Sequence, residues 1–183
     1  VALSLVPVSY QKIITLNAWE HTMYMRVRDE ISELLQEWLK GDEPAIEFCK
    51  LILEVVGTWD DLIDKDKYTP TGMDISNAFS LLLIKLPNNP FYTKHKDDLQ
   101  PFLEQMVYDW LAANELERQK VLLTSYSLRL SYAPVLARAV YLIGGFEWAI
   151  LGVQVLYNTI TGIEDFNKYT KEHSSEEIKK GEV

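Results

Sequence analysis

Residues 42–66 read DEPAIEFCKLILEVVGTWDDLIDKD, and this stretch decides the fold. Asp42 and Pro44 open a helix, because Pro at an early helical position gives up no hydrogen bond that the first turn would have made. The apolar run that follows carries charges at three- and four-residue steps, and no period-two alternation fits it. A helix to about Asp64 is expected. Trp59-Asp60-Asp61-Leu62-Ile63-Asp64-Lys65-Asp66 at its end places four carboxylates within seven residues.

Outward from this helix the same reading repeats. From about Asn17 to Lys40, Val27, Ile31, Leu34, Leu35 and Trp38 recur at helical spacing, and Gly41 stops the run. Lys65 to Gly72 is a polar turn, after which Asp74 is expected to cap a short helix from Ile75 to Lys85. Pro87-Asn88-Asn89-Pro90 is a strong turn cluster. A further helix is expected from Asp98 to Arg118, with Pro101 in its first turn and Leu103, Met106, Val107, Trp110 and Leu111 on one face. The apolar segment Val121–Ile143 contains Pro134, which removes a backbone donor and predicts a kink or break. Gly144-Gly145 ends it. Phe146 to Thr161 is apolar around most of its circumference, the signature of a helix at the centre of a bundle or covered by another subunit. Residues 1–15 read as an apolar extended segment, and residues 168–183, rich in Lys, Glu and Ser, as a disordered tail. The expected architecture is all-α: a single-domain bundle of about six helices over residues 1–167, one of them kinked by proline, with short connections.

Composition bounds the function. Hydrophobic residues make up 48% and charged residues 25% of 183 residues, enough apolar material for one proper core. A formal charge of −9 argues against nucleic acid and anionic membranes as partners, since phosphates need clustered Lys and Arg. No apolar run is long enough for a membrane span. Residues 1–8 lack the basic lead of a signal peptide, so a cytoplasmic setting, in a bacterium or an infected host cell, is expected. The lone Cys49 rules out an internal disulfide and any Cys-based metal pattern, and its apolar surroundings read as core.

On a helical wheel of about 100° per residue, Glu43, Glu47, Glu54 and Asp61 fall in one stripe beside Lys50 and Lys65, the pattern of a solvated face. Asp60 and Asp64 fall with Ile46, Leu53 and Gly57, at the edge of the apolar sector. Carboxylates there lose hydration, repel one another and oppose the helix dipole, so a cation or a basic side chain would stabilise them. Three readings stay open: a Mg²⁺ or ligand site, a charge network with an arginine, or ordinary surface. Arg118, beside Asn114 and Glu117, is the first candidate for the arginine, and Arg129 and Arg138 are others.

Asp60-Asp61-Leu62-Ile63-Asp64 resembles the first Asp-rich motif of class I isoprenoid synthases, which implies diphosphate binding through Mg²⁺. The second metal motif of that family has no counterpart, because Asn158 is followed at four-residue steps by Gly162 and Phe166. Glu30-x-x-Glu33 with Asp61-x-x-Asp64 is similar to the E-x-x-E and E-x-x-D helices of all-helical nucleotide pyrophosphohydrolases, which implies four carboxylates around Mg²⁺ and an activated water. More broadly, Trp59–Asp64, Leu86–Tyr92 and Trp110–Arg118 resemble uncharacterised helical proteins encoded in tailed-phage genomes.

His21, His95 and His173 have no second His or Cys at ligand spacing. Phe91 and Tyr92, presented by the proline turn, are candidate interface anchors. The leading expectation is an acidic helical protein acting through protein–protein contacts, a homo-oligomer or bound to a protein partner, with no cofactor. The alternative is a Mg²⁺-dependent hydrolase or transferase acting on a diphosphate through Asp60, Asp61, Asp64, Glu30 and Glu33.

Overall fold

The computed structural model describes residues 31, 33–64, 69–163 and 165–174. Among these residues the chain is helical, without strands. Helix α1 comprises residues 33–38. It is followed by α2 (Glu43–Asp64), α3 (Gly72–Ser80), a π-helical turn (Leu81–Lys85), α4 (Leu86–Asn88), α5 (Pro90–Lys94) and α6 (Lys96–Arg118). Helices α7 (Leu122–Arg129), α8 (Tyr132–Gly144), α9 (Phe146–Ile163) and α10 (Phe166–Ser174) complete it. The extended segment expected at residues 1–15 lies outside the described residues.

The start of α2 follows from its sequence. Asp42 Oδ1 accepts the Ala45 N–H at 3.0 Å, and Pro44 sits in the first turn, where it costs nothing. Helix α3 begins earlier than expected, because Thr71 rather than Asp74 is its cap. Asp74 is the third helical residue and closes a capping box, its Oδ2 accepting the Thr71 N–H at 2.7 Å. Asn89 starts α5, taking the Tyr92 N–H on Oδ1 at 2.9 Å and donating from Nδ2 to Pro44 O at 2.9 Å. That buried side chain ties the proline turn to the first turn of α2.

Helix α8 is the centre of the bundle. Tyr132, Ala133, Val135, Leu136, Ala139 and Val140 are buried, a stripe wide enough to meet helices on several sides, and α8 packs against α2, α6 and α9. The expected long helix through Val121–Ile143 is broken rather than kinked. The break falls at Leu130-Ser131, a turn before Pro134, which puts the proline in the first turn of α8, where its missing donor is harmless. Gly145, at φ +80, closes α8 with its N–H on Tyr141 O at 2.8 Å, a conformation that suits glycine.

Helix α9 is peripheral, not central. Ala149, Gly152, Leu156 and Ile160 line its inward face at three- and four-residue steps, while Phe146, Ile150 and Leu151 are exposed. At Gly152 a Cβ would lie 2.9 Å from both Trp38 Cε3 and Val140 Cγ1, so only glycine lets α9 sit this close. The remaining core comes from Leu35 and Leu39 at the end of α1, Phe48, Cys49 and Ile52 of α2, and Leu99 and Met106 of α6.

Phe91 and Tyr92 both pack against α2. Phe91 is buried with its ring 5.7 Å from that of Phe48, and Tyr92 stacks on the same ring at 6.0 Å. Asn89 fixes the turn so that both rings face α2.

Candidate functional site

One polar cluster joins four helices, and each supplies its residues at helical spacing. Trp110, Asn114 and Glu117 share a face of α6, Ser125 and Arg129 a face of α7, and Tyr169 and His173 a face of α10, with Asp60 coming from the last turns of α2. Arg129 is the hub, its side chain only 10% exposed. Its Nη1 donates to Asp60 Oδ1 at 3.0 Å. Its Nε donates to Glu117 Oε2 at 3.0 Å, and Nη2 lies 2.8 Å from the same oxygen, so both nitrogens converge on one carboxylate oxygen. Nη2 also donates to Asn114 Oδ1 at 3.3 Å. The Trp110 ring lies 5.4 Å from the guanidinium carbon, and the Trp59 ring packs on Trp110 at 4.4 Å.

Helix α10 completes the cluster. Tyr169 donates its hydroxyl to Glu117 Oε2 at 2.7 Å, and His173 Nδ1 lies 3.1 Å from Glu117 Oε1. The buried Ser125 Oγ lies 2.8 Å from both Ala113 O and Tyr169 Oη. Lys120 Nζ donates to His173 O at 3.0 Å. Tyr126 packs on Phe166 and Tyr169 with centroids at 5.2 and 5.5 Å. The expected disordered tail is thus a docked helix as far as Ser174; residues 175–183 lie outside the described residues.

Burial pushes the Glu117 carboxyl up, but hydrogen bonds from His173 and Tyr169 and the charges of Arg129 and His173 outweigh it and hold the group at about 2. Tyr169 is pushed up to about 12, first by burial and then by the Glu117 carboxylate, which keeps its hydroxyl a donor. Because the folded state binds the Glu117 proton less tightly than the unfolded chain, this carboxylate stabilises the fold above the ordinary value of 4.5. That contribution is lost as pH falls through about 2. Urea denaturation from pH 5 to pH 2 should show wild type losing on the order of 2 kcal/mol more than Glu117→Gln over that window. Equal slopes would mean that Glu117 is not held as a carboxylate.

The residues expected from the sequence separate. Asp60 does pair with an arginine, but the arginine is Arg129. Arg118 is exposed and pairs with Glu115 of its own helix. The reason is phase: Glu117 continues the buried stripe Met106, Trp110, Ala113, and the next residue points about 100° away from it. Asp61 is half-buried, Asp64 ends α2 with its side chain outside the description, Glu33 is exposed on α1, and Glu30 lies outside the described residues. Among the described residues, no three of His, Cys, Asp and Glu converge as a metal site. Arg129 already offsets part of the Asp60 charge through Oδ1. Glu117, set beside Arg118 in the sequence, takes the place at the cluster that was expected of its neighbour; Tyr169 and His173 were not foreseen, and their signal was the four-residue step Tyr169–His173 following Phe166.

A second arginine, the half-buried Arg138 of α8, pairs with Asp98 of α6 and lies over the Tyr141 ring at 4.5 Å from its centroid. The arrangement acts as a clasp that holds α2, α6, α7 and α10 together, with the arginine donors already directed at protein acceptors. Among the described residues no helix is long and apolar enough to cross a membrane. No known protein family, no curated protein and no solved structure matches this chain.

Proposed function

We propose that the protein works by binding other proteins through its helical surface, as a structural or accessory module rather than as a catalyst. One observation carries this reading: large apolar side chains are gathered on exposed helix faces. Met73, Phe79 and Leu83 stand out from α3 and the π turn, and Phe146, Ile150 and Leu151 from α9. Contiguous apolar surface of this kind costs solubility and is characteristic of contact sites. The acidic cluster, from which a metal site might have been built, is engaged by Arg129 at Asp60.

The test is thermal melting with and without millimolar Mg²⁺ or Mn²⁺. Neither ion should move the Tm of wild type by more than about 1 °C, because a folded state without a site gains nothing from mass action. A rise in wild type that disappears in Asp64→Ala would sink the reading and restore diphosphate chemistry.

A further inference from the structure

We infer that α10 is a proton-controlled latch: a protonated His173 closes it onto Glu117 of α6, and loss of that proton loosens it above neutral pH. The inference goes beyond the contact-based reading and does not depend on it. Helix α10 is lightly held. Phe166, Tyr169, Thr170 and His173 share one face at three- and four-residue steps, and each stays partly exposed. Nine residues of helix are marginal in water by themselves, so the few contacts α10 makes decide whether it stays folded on the bundle.

His173 is the titrating contact. Its Nδ1 lies 3.1 Å from Glu117 Oε1, and its side chain is 17% exposed. Arg129 and Tyr169 both reach Glu117 through the other oxygen, Oε2. The charged groups around the ring come from every neighbouring element: Glu117 of α6, Lys120 between α6 and α7, Arg129 of α7, and Asp60 of α2 behind Arg129. The Asp60 and Glu117 carboxylates share the one Arg129 guanidinium, which leaves a single negative charge for an imidazolium to neutralise. Two cations oppose that proton. Lys120 is exposed and reaches only the His173 carbonyl, at 3.0 Å, while the Arg129 donors are directed at Asp60, Glu117 and Asn114. The carboxylate in direct contact outweighs both. Tyr169, pushed up to about 12, stays neutral throughout.

Two effects favour the charged ring in the folded protein. His173 holds the Glu117 carboxyl down by hydrogen bond and by charge, and such coupling is reciprocal, so Glu117 retains the proton on His173. His173 also stands in the last turn of α10, where the unpaired carbonyls of a helix end attract a positive charge. Partial burial opposes them but is incomplete. The unfolded chain has neither contact. The latch is therefore fully closed below the ordinary histidine value of about 6.5, and it loosens as pH rises through the higher folded-state value. A neutral ring that carries its hydrogen on Nδ1 still donates to Glu117; what it gives up is the charge, the stronger part of the bond. Opening takes Phe166 and Tyr169 away from Tyr126, and Tyr169 away from Ser125, uncovering the α6–α7 face beneath α10.

Hydrogen exchange of the full chain at about pH 6 and about pH 8, corrected for the intrinsic exchange rate at each, reads the latch in the amides of α10. Their protection in wild type should fall roughly fivefold to tenfold between the two. His173→Gln keeps a donor for Glu117 without a titrating charge, and its α10 protection should change by less than about twofold. In parallel, the His173 ring followed by NMR should titrate above about 6.5 in wild type and return toward that value in Glu117→Gln. Four results would overturn the inference: α10 equally protected at the two pH values; α10 unprotected at both; the same fall in His173→Gln as in wild type; or a His173 ring that titrates at or below about 6.5. All four leave the contact-based function standing, which the metal-dependent melt described above tests separately.

Discussion

Arg129→Ala should destabilise the protein by about 3–5 kcal/mol, one of the two largest single-residue effects expected in this chain. The cost does not come from the lost attraction alone. Glu117 is 19% exposed, and without the guanidinium only Tyr169 and His173 remain to hold its negative charge. Asp60, 47% exposed, recovers water and contributes less. The cluster acts as a unit, so a double-mutant cycle should reveal it. Arg129→Ala combined with Glu117→Gln should cost less than the sum of the two singles by about 2–3 kcal/mol. Additive effects in urea denaturation would show that the pair does not form. Arg129→Ala should also release α10 before the rest, seen as proteolytic cleavage within residues 166–174 while far-UV dichroism of the body persists.

Phe48→Ala should cost about 3–5 kcal/mol as well, by a different route. Phe48 is wholly buried and carries both rings of the proline turn, Phe91 at 5.7 Å and Tyr92 at 6.0 Å. Truncation removes dispersion contacts on three sides. Asn89 holds the turn to Pro44 and limits how far the rings can collapse into the gap. The thermal midpoint should fall by roughly 10 °C in a chain of this length. Phe48→Leu, which keeps most of the volume, should lose well under half of that. A Phe48→Ala chain melting within about 3 °C of wild type would mean that the α2–α5 contact is not packed as described.

The fold was legible wherever a local signal and a packing demand agreed. Asp42 and Pro44 announced α2, and Gly145 ended α8, because caps are decided within a few residues of chain. The break before Pro134 was readable as a disruption but not in its position, since the proline could either kink a helix or open one. Ser131, three residues upstream, settles it by donating its hydroxyl to Met106 O at 3.2 Å, a contact across 25 residues. The apolar wheel of α9 could not say whether it lay at the centre, because that depends on which neighbours arrive.

The site was half legible. The wheel placed Asp60 at the edge of the core and asked for a cation. A one-residue difference in phase separates Arg118, in solvent, from the buried stripe that ends at Glu117. That stripe is visible only when Met106, Trp110 and Ala113 are known to face inward while Val107 and Leu111 do not. Helix α10 was hidden by composition, because three aromatic rings at helical spacing are outnumbered there by Lys, Glu and Thr.

The position of α10 at the end of the clasp has a consequence for the order in which the chain is built. Asp60, Glu117 and Arg129 are synthesised before Tyr169 and His173. The nascent bundle must therefore hold a carboxylate–guanidinium pair that is still open to water on one side. Helix α10 seals it, so the pair at Arg129 reaches its final solvation only after the helices before α10 have been synthesised.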